Sequence, residues 1–149
     1  MPGSSWETSV DGAFTLTMSA LIFVNQVGFA LLEVGLVRKK NAKTIMTKNF
    51  LDTCVTAIMY FSIGFTLAHG DGTFSGGTDK DGYFASNNDN LGGNTVWFLG
   101  YAFAATTVSI VSGAVAERCQ IASYLLVAAV LGGIVHPIIS HWIWSPSGW

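Results

Sequence analysis

The sequence predicts an all-α integral membrane protein with four transmembrane helices. Hydrophobic residues make up 50% of the 149 residues and charged residues only 11%, whereas soluble domains average about 25% charged residues. Two long runs late in the chain, residues 95–115 and 121–144, contain no charged residue. Each is long enough to cross a hydrocarbon core of about 30 Å, which takes roughly 20 helical residues. Together these observations favour membrane spans over the buried helices of a soluble core.

The four predicted spans cover about residues 13–37, 44–68, 95–116 and 121–144. The first carries Glu33 about one turn before its end, where a carboxylate can snorkel to the membrane surface. The last contains Pro137, which removes one backbone hydrogen bond and predicts a kink. Between the second and third spans, residues 69–94 form a polar loop rich in Gly, Asn and Asp, which favour turns. Cys54 and Cys119 lie in or beside apolar segments, so we expect them to be reduced and buried.

The charged residues predict the orientation in the membrane. Every lysine and arginine except Lys80 lies in segments 38–48 and 116–120, which the positive-inside rule places in the cytoplasm. Both ends of the 149 residues and the extracellular loop 69–94 are then outside. The same side collects most of the acidic residues, namely Glu7, Asp11, Asp71, Asp79, Asp81 and Asp89. The start of the chain lacks the basic residues of a cleavable signal peptide, so we expect the first span to act as its own insertion signal.

Few residues form a pattern with recognisable chemistry. The sequence has no zinc-ligand spacing, phosphate-binding loop or nucleophile motif, and no basic, aromatic-interleaved patch that points to nucleic acid. His136 and His141 are five residues apart and do not share one helical face, so we expect no metal site there. We therefore expect no enzyme activity, no cofactor and no nucleic-acid partner. Aromatic residues near the ends of the third and fourth spans suit either the interfacial belt of a membrane protein or a site where rings hold a small cation.

Three segments carry a resemblance to a known family: GFALLEVGLVRKKNA, SGAVAER and YLLVAAVLGGIVHPIISHWIWSPSGW. Together they resemble the ammonium transporter (Amt) family of the Amt/Rh superfamily, in its plant-type branch, over all four spans in order. The resemblance implies an eleven-helix fold with two inverted five-helix repeats, assembled as a homotrimer with one pore per subunit. Residues 1–149 would form a partial transporter domain holding the first four helices, in a multi-pass protein that we expect in the plasma membrane.

The resemblance also implies a function, the transmembrane transport of ammonium or ammonia. Phe103, ten residues before the glycine of SGAVAER, and Trp144, in HWIW, match aromatic positions of the family's outer ammonium site and gate. In the family, ammonium is captured there, releases a proton and crosses an apolar pore as ammonia. The pore histidines lie in segments beyond the fourth helix and no histidine of this chain matches them, so we expect the 149 residues alone not to conduct. Leu99 occupies a position where the family often has a second aromatic residue.

Two other functions stay open at the level of sequence. Ammonium-transporter-like domains are sometimes fused to signalling domains as ammonium sensors, which a cytoplasmic kinase or cyclase domain in the full gene would indicate. The other alternative is a small interaction protein that packs against a full-length transporter. A stop codon directly after Trp149 would favour that alternative.

Overall fold

The computed structural model describes residues 5–70 and 93–145, and within these residues every regular element is helical. The α-helices are α1 (Ser5–Leu36), α2 (Ala42–Met59), α3 (Phe65–His69), α4 (Gly93–Val115), α5 (Ile121–Val130) and α6 (His136–Trp144). A short 3-10 helix, Lys39–Asn41, leads into α2. The first π turn, Tyr60–Gly64, continues α2 into α3, and the second π turn, Leu131–Val135, continues α5 into α6.

The predicted fold class is confirmed. Four helical segments are long and apolar enough to cross a membrane: Ser9–Leu36, Lys39–His69, Gly93–Val115 and Ile121–Trp144. Helix α1 begins at Ser5, well before the predicted start near residue 13. Most of the predicted loop 69–94 lies outside the described residues, but His69 ends α3 and Gly93 opens α4. Many large apolar side chains on the outside of the bundle are exposed, as a surface that faces lipid requires.

The buried core has aromatic side chains at its centre and small side chains on the face of α4. Tyr60, Phe65 and Tyr101 are buried together with two alanines of α4. Phe23 of α1 packs on this cluster, with its ring centroid 5.9 Å from that of Tyr101. Small residues on α4 let neighbouring membrane helices approach closely, and α1 accordingly makes its main contact with α4.

The two π turns pack directly against each other, and glycine makes this contact possible. A Cβ atom on Gly64 would lie 3.1 Å from Cγ of Pro137 and 3.3 Å from the carbonyl oxygen of Gly132. A Cβ atom on Gly132 would lie 2.7 Å from Cγ2 of Thr56. The sequence predicts a kink at Pro137, and in the structure the second π turn ends at Val135, two residues before this proline. Such turns re-route backbone hydrogen bonds where a proline cannot donate.

Buried polar side chains join α1 to α4. Glu33 is only 5% exposed, and its Oε1 accepts a hydrogen bond of 2.6 Å from the Ser112 hydroxyl. One turn earlier on α4, Ser109 accepts a hydrogen bond from the side-chain amide of Gln26, which also donates to the carbonyl of Ala105 at 3.1 Å. The prediction that Glu33 snorkels to the membrane surface is therefore wrong. In an apolar solvent a carboxylate is better satisfied by a donor on the next helix.

Residues 36–42 and 115–121 form one end of the bundle, called here the basic end. Glu117 joins these two segments. Its Oε1 accepts hydrogen bonds from the Arg38 backbone N–H at 3.2 Å and from Nδ2 of Asn41 at 3.3 Å. These two hydrogen bonds, the one from Arg38 more than the one from Asn41, hold the pKa of the Glu117 carboxyl below its usual range.

Cys54 and Cys119 are free and exposed, so the expectation that they are buried is wrong. Periodicity within an apolar run does not report whether a position faces protein or lipid.

We expect Ser112→Ala to destabilise the protein, because Oε1 of Glu33 would lose its donor while staying buried. The expected loss is about 1–2 kcal/mol, between the small values of membrane hydrogen bonds and the larger ones of bonds to charged groups. Thermal unfolding of the full-length gene product in detergent measures it. Ser123→Ala, which removes the same hydroxyl from an exposed position of α5, is the matched control. Equal melting temperatures for the two variants would contradict the assignment.

The contact between the π turns yields a second prediction. Gly64→Ala should destabilise the bundle by about 1–3 kcal/mol, the usual range for overpacking, since the new methyl group meets Pro137 and a backbone carbonyl that cannot move aside. Gly35→Ala is the matched control, because a Cβ atom there meets nothing within 4 Å. Unfolding of both variants in the same detergent gives the comparison, and a Gly64→Ala protein as stable as Gly35→Ala would show that the contact is loose.

Candidate cation site

A cavity of about 350 Å³ lies at the end of the bundle opposite the basic end, between α3, α4 and α6. Helix α4 supplies four of its lining residues at helical spacing: Val96, Leu99, Gly100 and Phe103. Residues at positions i, i+3, i+4 and i+7 share one face of a helix, so this face of α4 forms one wall. Helix α6 supplies the opposite wall in the same way, with His136, Ile139, Ser140 and Trp144, and His69 closes the cavity from α3.

The position of this cavity follows from the packing beneath it. Gly100 lies against the buried Tyr60 side chain, and a Cβ atom on Gly100 would collide with the Tyr60 hydroxyl. Tyr60 belongs to the first π turn, which continues directly into α3 and so leads to His69. The second π turn likewise leads into α6, which carries the opposite wall. The two turns therefore aim α3 and α6 at the same space.

The structure brings the two residues singled out by the resemblance to one surface. Phe103 is 49% exposed and Trp144 is 82% exposed, and both line the cavity. Accessible ring faces are what a cation–π contact requires. That Phe103 and Trp144 hold ammonium stays a prediction.

The wall position one turn before Phe103 on α4 holds an aliphatic residue, although an aromatic residue lies next to it in the sequence. Leu99 lines the cavity, one turn before Phe103. Phe98 instead packs on the core, with ring centroids 5.9 Å from Phe23 and 6.3 Å from Tyr101. An aliphatic side chain therefore occupies the wall where a second aromatic residue would stand, and Phe98 does not replace it.

Sequence reasoning missed two cavity residues, His69 and His136. The signal was present on α6, because His136 precedes Trp144 by eight residues, close to two helical turns, on the same face. His141 points elsewhere: it is buried, with Nδ1 3.2 Å from the carbonyl oxygen of Ala68, and it packs α6 against α3. The spacing argument that His136 and His141 occupy different faces therefore agrees with the structure. Among the described residues, no three His, Cys, Asp or Glu side chains are grouped to hold a metal ion.

Two further cavities lie along α1. One of about 320 Å³ is lined by Gln26, Asn49 and Ser109 among others, and one of about 210 Å³ by Glu33 and Gly113 among others. Both adjoin the polar contacts that join α1 to α4. Neither contains a residue that the sequence marks as a binding residue.

Four membrane-crossing helices with an aromatic cavity at one end of the bundle define a multi-pass integral membrane protein. Residues 13–149 match the model of the Ammonium Transporter Family. The chain belongs to this family.

Curated relatives agree over nearly the whole chain. It is 39% identical over 144 residues to putative ammonium transporter 1 of Caenorhabditis elegans, covering 95% of this chain and 26% of that protein. It is 40% identical over 153 residues to ammonium transporter 1 member 3 of Solanum lycopersicum, covering 98% and 32%. Ammonium transporter Amt2 of Archaeoglobus fulgidus is 37% identical over 144 residues, covering 96% and 30%. The chain thus spans about a quarter to a third of the length of these relatives, which are named as transporters rather than enzymes.

Proposed function

We propose that this chain is the part of an ammonium transporter that captures the substrate, with Phe103 and Trp144 as the outer ammonium site. The observation that carries the proposal is that these two residues, distant in sequence, line one cavity. The names of the relatives, all ammonium transporters, support ammonium as the substrate class.

The physical basis of capture is partial replacement of water by aromatic faces. A cavity of about 350 Å³ has room for ammonium together with several water molecules, since a water takes about 30 Å³ in the liquid. A ring face gives a cation about 0.5–1 kcal/mol at an exposed site and about 2 kcal/mol or more when the site is dry. Such contacts concentrate ammonium at the cavity without replacing its whole hydration shell. Weak capture suits a substrate that must leave again.

Passage beyond the cavity requires a change of charge state. A cation at the centre of a bilayer costs several kcal/mol, so ammonium releases its proton and ammonia crosses an apolar pore. Segments outside these 149 residues complete that pore, and the full-length protein is a homotrimer in the plasma membrane. The basic end faces the cytoplasm, because it carries Arg38, Lys39, Lys40 and Arg118, and Lys43 follows it directly. The cavity and both ends of the 149 residues are then extracellular.

Uptake of labelled methylammonium by transporter-deficient cells tests the proposal. Cells expressing residues 1–149 are compared with cells expressing the gene read onward to its natural stop. Uptake by the longer product alone supports the proposal. Uptake by the 149 residues alone would contradict the need for further segments, and no uptake by either would favour a sensor or an interaction protein.

Trp144→Leu in the full-length product should raise the KM for ammonium about 2–30-fold, because one cation–π contact of about 0.5–2 kcal/mol is lost. Phe103→Ala should act in the same direction. Trp142→Leu is the matched control, since Trp142 lies on the same helix and is 62% exposed but does not line the cavity. A KM that changes equally in the Trp142 and Trp144 variants would assign both residues to the interfacial belt instead.

A further inference from the structure

Two imidazole rings share the cavity with the aromatic pair. His69 ends α3 and His136 begins α6, and both line the space that Phe103 and Trp144 border. Neither matches a residue expected from the resemblance. Their protonation therefore bears directly on whether this cavity accepts a cation.

Hydrogen bonding to α4 determines which nitrogen of His136 carries the proton. Nδ1 of His136 lies 3.3 Å from Oγ1 of Thr107, and this hydroxyl donates to the carbonyl of Phe103 at 3.0 Å. Because a hydroxyl has one hydrogen, Oγ1 satisfies both contacts only by accepting from the N–H at Nδ1. Nε2 of the neutral ring then carries the lone pair. The contact also links His136 to the helix turn that holds Phe103.

His69 is held in the cavity wall by packing. Its Nδ1 is buried without a hydrogen-bond partner among the described residues. The His69 ring also packs on the Phe65 ring, with centroids 4.9 Å apart. In the tautomer with its proton on Nδ1, a neutral imidazole presents the lone pair of Nε2. Both rings can thus offer the cavity a hydrogen-bond acceptor.

The charges around the cavity make this acceptor role dependent on pH. Among the described lining residues there is no Asp, Glu, Lys or Arg. His141 of α6 is the titratable neighbour whose charge acts on His69, and Thr107 of α4 is the polar neighbour of His136. No described carboxylate in the lining would offset a proton on either ring. Protonation would therefore turn an acceptor into a positive charge inside the site that takes the cation.

We propose that His69 and His136 are positioning residues of the outer site and that they make ammonium compete with protons there. With both rings neutral, each Nε2 accepts an N–H of the captured ammonium while the faces of Phe103 and Trp144 hold its charge. When either ring is protonated, the acceptor is lost and the like charge repels ammonium. This inference rests on the proposed function, and it predicts that capture weakens on the acid side of neutrality.

The test measures the KM for ammonium of the full-length product in proteoliposomes, at about pH 5.5 and about pH 7.5, with equal pH on both sides and a fixed membrane potential. Because protonation removes the acceptor and adds a like charge, the KM should rise several-fold on acidification. The same KM at both pH values would overturn the inference, and this comparison needs no variant.

Two double variants distinguish the loss of the hydrogen-bond acceptor from the gain of a positive charge on the histidine rings. His69→Gln with His136→Gln keeps an acceptor oxygen and cannot titrate, so its KM should stay within about threefold of the parent at the higher pH and change little on acidification. His69→Phe with His136→Phe lacks the acceptor and should have a raised KM at both pH values. A Gln variant that keeps the parent's pH profile overturns the inference and leaves the proposed function standing. A parent protein that transports ammonium at neither pH overturns the proposed function, and this inference with it.

Discussion

The contact between the two π turns determines where everything else in the bundle lies. At Gly64 and Gly132 the second and fourth spans approach so closely that an added Cβ atom would meet Pro137 or Thr56 of the other span. The first turn lies near the end of the second span and the second turn near the middle of the fourth, and their contact positions the helices that follow them, α3 and α6. One of these helices ends in His69 and the other carries His136 and Trp144. The contact between the π turns therefore positions two of the helices that form the cavity wall.

Away from the cavity, the lipid that surrounds the helices imposes a different constraint. Lipid offers no hydrogen bonds, so polar groups within the spans must find partners on other helices. Glu33 and Gln26 of α1 do so with Ser112 and Ser109 of α4, and Lys48 of α2 lies 3.5 Å above the ring centroid of Tyr124 of α5. These pairs set the rotation of each helix about its own axis, which apolar packing alone leaves loosely defined. Polar pairs at one end and glycine contacts in the middle together position the cavity walls.

The sequence was sufficient for the fold class, and it singled out two residues that line the candidate cavity. Charge-free runs of the right length predict four spans because that requirement depends only on bilayer thickness. Phe103 and Trp144 followed from the resemblance, and the structure places them together. The burial of Glu33 could not be predicted, since it depends on which face of α1 meets α4. His69 was missed for the same reason: it lies outside the matched positions, and its approach to α6 depends on two π turns, of which only the second lies beside a residue, Pro137, where the sequence predicts a kink. The exposure of Cys54 could not be predicted either, because the sequence does not show which face of α2 points away from the other helices.

The chemistry of the cavity lining is consistent with capture followed by release. A carboxylate in the wall would bind a small cation far more strongly than neutral groups do, and a deep binding site slows the departure of the substrate. The described lining instead combines aromatic faces, a hydroxyl from Ser140 and two imidazole rings, each of which contributes a weak contact when neutral. A site of this kind gains affinity from the number of contacts rather than from any single charge. Because imidazole is the only one of these groups whose charge ordinarily changes between about pH 5 and about pH 8, the two rings are the part of the proposed site that would respond to protons.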